Sequence, residues 1–207
     1  MLPSTRWSPR GRRVRIHAYI TNAAFFQAAD ELRTLHWIAY RAKSLSLTHG
    51  TQLANNDEAR DIWENDPAWQ PARETLERLL LAYDWGEAFT ALDLVVKPAF
   101  DALFKQAFVD LATAHQDGLT AQLLQESRVD TTRNQAWAGA LARDASADHP
   151  DTRDTIARGE DRWRPLAERA VEGLTAVFAT APNPADPSRV RATVDRSTST
   201  FRTTWTD

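Results

Sequence analysis

Apolar residues recur at intervals of three and four along most of the chain. From His17 to Leu47 the positions Phe25, Ala28, Ala29, Leu32, Leu35, Ala39 and Ala42 form one stripe, which predicts a helix with that stripe facing a core. "THGTQLANNDEAR" reads as a polar connection. "NDPAWQP" reads as a helix start, with Asp66 as N-cap and Pro67 at the first helical position, leading a helix to about residue 82. A further helix is predicted from about 84 to 113, with Gly86 and Pro98 as places for a kink or local unwinding. "HQDG" breaks the pattern before a helix over 119–145 that carries Leu123, Leu124, Trp137 and Leu141. After "ADHPD", residues 151–179 place Ile156, Trp163, Leu166, Ala170, Leu174 and Val177 on one stripe. Beyond Ala181 the chain fills with Pro, Ser and Thr, so residues 182–207 are expected to be a flexible tail. Residues 1–16, rich in arginine, are expected to be a flexible basic arm. No segment alternates with period two. The fold class is all-α, an antiparallel helical bundle over residues 17–181.

Composition narrows the functions open to such a bundle. Of 207 residues, 43% are apolar, enough for one sizeable core. The formal net charge of -3 gives no global basic field for nucleic acid or for acidic lipid. No cysteine is present, which removes disulfides, zinc–thiolate sites, iron–sulfur clusters and thiol nucleophiles, and suits a cytoplasmic location. No run of eighteen apolar residues occurs, so no membrane span is expected. Eight tryptophans hint at an interface as well as a core.

Candidate chemistry is sparse. Phosphate-loop, dinucleotide, nucleophile-elbow and zinc-protease motifs are all missing. His17, His36, His49, His115 and His149 are scattered, and no two stand at helical ligand spacing. In a bundle the informative test is the di-iron carboxylate signature, which needs two glutamates and two Glu-x-x-His pairs facing inward. This chain has no Glu-x-x-His; Thr34 stands three residues after Glu31. The segment 82–100, "AYDWGEAFTALDLVVKPAF", sets Asp84, Glu87, Asp93 and Lys97 into an apolar run. Asp93 and Lys97 at i, i+4 fit an ordinary surface ion pair, and Asp84 with Glu87 fits a solvated pair.

Three blocks make a resemblance specific: "YITNAAFFQAADELRTLHWIAYRAK" at 19–43, "WENDPAWQPARETLERLLLAYDWGEAFTALDLVVKPAFDALFKQ" at 63–106 and "RWRPLAERAVEGL" at 162–174. They resemble the β (small) subunit of the hydroxylase component of bacterial multicomponent di-iron monooxygenases of the toluene, phenol, propane and alkene type. The resemblance implies a ferritin-like bundle, degenerate in having no metal site, packed against an α subunit that holds the di-iron centre. Against the α-subunit pattern, Asp30-Glu31-Leu32-Arg33-Thr34 keeps the glutamate and loses the histidine. Lys97 stands where a carboxylate is wanted, and Thr131 and Asn134 stand where a second Glu-x-x-His is wanted. The segment 82–100 then looks like a former metal-site helix, and Lys97 should lie within about 4 Å of Glu31.

The function implied is that of a non-catalytic structural subunit, with no catalytic, cofactor or metal residue of its own. Its partners would be the α subunit, with or without a γ subunit, and in the wider system a reductase and a regulatory protein; iron would reside in α. Family β subunits carry a substantial helical region before the matching part, and an arginine-rich leader stands there instead. That difference predicts uncovered apolar faces. The alternative is a free-standing helical protein-binding module derived from the same fold.

Overall fold

The computed structural model describes residues 9–206. Among these every regular element is helical, in agreement with the all-α expectation. Seven helices follow one another: α1 Pro9–His49, α2 Asn56–Asn65, α3 Gln70–Leu80, α4 over 85–114, α5 Gly118–Asp148, α6 Pro150–Phe178 and α7 Pro187–Thr206. No helix of the described residues is long and apolar enough to cross a membrane.

Local chemistry marks the boundaries. Asn55, Asp84, Asp117 and Asp186 each accept a backbone N–H two or three residues ahead, satisfying donors that a helix start leaves free. Gly50 ends α1 at φ 106, a left-handed conformation that a side chain disfavours. Inside α4, the α-helical segments Trp85–Phe89, Lys97–Ala102 and Phe108–Ala114 are separated by π-helical stretches Thr90–Val96 and Leu103–Ala107. The first widening adjoins Pro98, which has no N–H to give, and Lys97 N–H reaches back five residues to the Leu92 carbonyl. Gly86 sits in the first turn of α4 and interrupts nothing.

α4 is the centre of the apolar core. Its Ala91, Val95, Val96, Ala99 and Leu103 are buried, as are Trp163, Ala170, Val171 and Leu174 of α6. Gly173 of α6 lies so close to the turn before α3 that a Cβ there would come within 2.6 Å of the Ala68 carbonyl oxygen. Thr75 of α3 is fully buried, and its hydroxyl donates to the carbonyls of Pro71 and Leu166.

Several expectations are corrected. Asp66 does not cap a helix that begins at Pro67: α3 starts at Gln70, with Pro71 in its first turn, and the Asp66 carboxylate accepts the Ala68 N–H in a tight turn. The polar stretch before it runs into α2, a helix capped by Asn55 that has no fully buried residue and sets Trp63 edge-on against Trp69. Residues 9–16 belong to α1 rather than to an arm, and residues 1–8 lie outside the described residues.

Residues 182–207 are not a loose tail, because α7 docks on the bundle. Val190, Val194, Phe201 and Trp205 are all buried, and their spacings of four, seven and four make one helical stripe. The prolines stand before α7 or at its first residue, where proline is compatible with a helix. Hydroxyls of Thr193, Thr198 and Thr206 donate back to carbonyls four residues earlier, so the Ser/Thr composition does not prevent the helix. The last correction concerns α1. Its predicted core stripe faces outward, with Phe25 71% and Leu35 58% exposed, while Gln27, Asp30 and Thr34 are buried.

Candidate functional site

The inward face of α1 is polar because the helices opposite it present charges. α4 directs Lys97, Asp101 and Lys105 toward it, one turn apart on one face. Glu31 of α1 completes a four-membered cluster. Lys97 Nζ donates to Glu31 Oε1 at 2.6 Å and to Asp101 Oδ2 at 2.6 Å. Lys105 Nζ donates to Glu31 Oε1 at 3.0 Å and lies 2.9 Å from Asp101 Oδ1. Two ammoniums and two carboxylates balance, which is the condition for keeping charges out of water. Burial pulls the Lys97 ammonium downward, but Asp101 and Glu31 more than reverse it, so its pKa is raised. Burial likewise pushes Glu31 upward, and the attraction of Lys97 and Lys105 leaves its carboxyl below the usual range.

A second cluster joins α1 to α5. Asp30 and Asp130 are buried, and each is held by the arginine of its own helix and by that of the other. Arg33 reaches Asp130, and Arg133 reaches Asp30 at 2.5 Å, so the two pairs cross between the helices. Above them, Gln27 Nε2 donates to Asp93 Oδ1 at 2.6 Å. Burial raises the Asp93 carboxyl to about 6, with the Gln27 bond and the Lys97 charge offsetting only part of that effect.

The structure therefore brings Glu31 and Lys97 together as the sequence predicts, and it separates Asp93 from Lys97 as ion-pair partners. Thr34 and Thr131 turn their hydroxyls onto the backbone of their own helices. Asn134 is buried, and its amide nitrogen has no hydrogen-bond partner. Asp84 is the cap of α4, and Glu87 pairs with Arg162 at 2.7 Å. Sequence reasoning missed Asp101, Lys105 and the Asp130–Arg133 pair. Both had a legible mark: Lys-x-x-x-Asp-x-x-x-Lys from 97 to 105, and the same Asp-x-x-Arg spacing at 30–33 and 130–133.

This donor set does not suit a carboxylate-bridged iron pair. An ammonium has no lone pair to offer, Glu31 is already bound by two of them, and Thr131 and Asn134 are neutral. Among the described residues no group of three or more His, Asp or Glu side chains is placed to hold a metal ion.

Comparison with known proteins agrees with this architecture. The profile of the Methane/Phenol/Alkene Hydroxylase family matches residues 8–149. The β subunit of the hydroxylase component of the toluene-4-monooxygenase system of Ectopseudomonas mendocina is 38% identical over 161 residues, covering 77% of this chain and 48% of that protein. The small subunit of the hydroxylase component of propane 2-monooxygenase from Gordonia sp. (strain TY-5) is 27% identical over 173 residues, covering 82% and 46%. A chain from the solved structure of toluene 4-monooxygenase (T4moH) with toluene bound in its resting active site superposes with a TM-score of 0.73 at 37% identity, covering 78% of this chain and 53% of that one. The chain spans about half the length of the curated relatives it matches.

Proposed function

Because the chain belongs to the Methane/Phenol/Alkene Hydroxylase family, among the small (β) hydroxylase subunits, we propose that it is a structural subunit of a hydrocarbon-oxidising di-iron monooxygenase. In this reading it packs against an iron-bearing α subunit in the cytoplasm, and the oxygen chemistry belongs to that subunit. One observation carries the proposal: α1 is turned so that its polar face seals the interior and its apolar face points outward. Inside, Glu31 is spent on Lys97 and Lys105. Outside, Phe25, Phe26, Leu32, Leu35, Ile38 and Tyr40 are exposed along one helix, a larger apolar surface than an isolated protein ordinarily tolerates. Its only acids, Asp30 and Glu31, are both engaged inward, so the exposed face carries no carboxylate.

The test is co-expression with the α subunit encoded beside it, recognisable by two Glu-x-x-His motifs. The expected result is a stable complex from which the double variant Leu32→Glu/Leu35→Glu dissociates at least about a hundredfold more readily, since a buried interface of this class exceeds about 2,000 Å². Both residues are exposed, so the variant should keep its helical content. A monomeric chain with no affinity for the α subunit would overturn the proposal in favour of a free-standing module.

A further inference from the structure

Residues of α1, α4, α5 and α6 line a half-open apolar pocket of about 630 Å³. Its walls are aromatic and aliphatic: Trp37 and Ile38 of α1, Trp69 before α3, Phe104 and Phe108 of α4, and Phe178 of α6. These rings are fixed against one another. Trp69 stacks on Phe104 at 6.5 Å between centroids, and Phe108 meets Phe178 edge-on at 6.0 Å. We propose that this cavity is a binding site for an uncharged, apolar small molecule of hydrocarbon type. The proposal does not depend on the subunit reading above.

Size decides between occupants. Ligand sites commonly measure about 300–1,000 Å³. Two turns of a helix about 10 Å across fill on the order of 850 Å³, so a partner helix does not enter a space of this volume. Walls this apolar offer water few hydrogen-bond partners, so an apolar guest that displaces the water removes apolar area from it. Polar groups decide the guest's charge. At one end Arg41 donates from Nη2 to Asp117 at 2.8 Å and from Nε to the Thr120 hydroxyl at 3.0 Å. The Thr34 hydroxyl is committed to the Asp30 carbonyl, and His115 Nε2 to the Asn183 carbonyl. The buried polar atoms without partners, on Asn134, Trp137, Trp163 and Trp205, belong to residues that do not line the cavity. The cation in the wall, Arg41, is already paired with Asp117, so it is not free to neutralise a guest's carboxylate, and the indole N–H groups of Trp37 and Trp69 are donors that ask for no charge. The guest is therefore a neutral hydrocarbon rather than a fatty acid.

The test measures uptake of toluene and of n-octane by the full chain from headspace depletion, with octanoate as the charged control. The expected result is saturable uptake of one guest per chain, together with a guest-dependent rise in Tm. Ala112→Phe and, separately, Val177→Trp fill the cavity from two sides and should each weaken uptake at least about tenfold and abolish the rise in Tm. Val177 is only partly buried, so its variant keeps the test decisive if Ala112→Phe fails to fold, as judged by circular dichroism. Absence of saturable uptake, uptake unchanged in the folded variants, or preference for octanoate over n-octane would each overturn the proposal.

Discussion

The two sides of α4 face opposite kinds of interior. Toward α6 and α7 it presents Val95, Val96, Ala99 and Leu103 to Trp163, Val171, Val194 and Phe201, an apolar core bordered by one buried acid, Glu160 of α6, which Arg202 of α7 holds through both carboxylate oxygens. Toward α1 it presents Asp93, Lys97, Asp101 and Lys105, which bind Gln27 and Glu31 through hydrogen bonds and ion pairs. The first side stabilises by removing area from water, at about 25 cal/mol per Å². The second contributes little net energy, because desolvation of four charges consumes much of their mutual attraction. It does fix α1 to one register, since each ammonium needs both carboxylates. The bundle thus holds α6 and α7 mainly by packing and α1 mainly by charge pairing, which leaves the apolar face of α1 available to a partner.

Removing α7 is the largest way to break this contrast. Its four buried side chains, Val190, Val194, Phe201 and Trp205, are worth on the order of 6–12 kcal/mol together, similar to the whole stability of a domain. Truncation before Pro187 should abolish cooperative thermal unfolding, and Trp205→Ala alone should lower stability by about 3–5 kcal/mol in urea titrations. Retention of a sharp transition by the truncated chain would show that the apolar side does not depend on α7.

The charged side breaks differently. Asp101→Ala leaves Lys97 and Lys105 sharing Glu31 alone, and an uncompensated buried charge costs about 3–5 kcal/mol. The double variant Lys97→Met/Asp101→Leu removes one charge of each sign and should lose less than the single variant, in the same denaturation assay. If the double variant loses more, the cluster is a net source of stability and the contrast between the two sides fails.

The smallest effect sharpens the comparison through pH. Asp93 titrates near 6 in the folded chain, above the unfolded carboxyl at about 3.9. Between these values the folded state holds a proton that the unfolded state has released, so stability falls as pH rises through this window. Below about pH 4 both states are protonated and the penalty vanishes. Asp93→Asn keeps an acceptor for Gln27 and removes the buried charge. Its Tm should exceed that of the parent above pH 6, by an amount equivalent to about 1–3 kcal/mol, and match it at pH 4. A constant difference across the range would assign the effect to packing instead.

Periodicity alone determined that the chain is helical and where α4, α5 and α6 run, and it left Lys97 free to pair with Asp93 at the surface. The Glu31 partner came from the family resemblance, and the geometry agrees with it at 2.6 Å. Three things were decided only in three dimensions. Composition concealed α7, whose four anchors form a stripe that has meaning only when a bundle surface receives it. The stripe of α1 was legible, but which face turns inward depends on the neighbours: Lys97 and Lys105 of α4 and Arg133 of α5 require Glu31 and Asp30 inside, and that requirement overrides the burial of Phe25 and Leu35. The pocket behind Trp37 and Phe108 is lined from four helices, so no single stretch of sequence marks it. A hydrophobic pattern specifies that a face prefers to leave water, but only the arrangement of the other helices determines what it leaves water for.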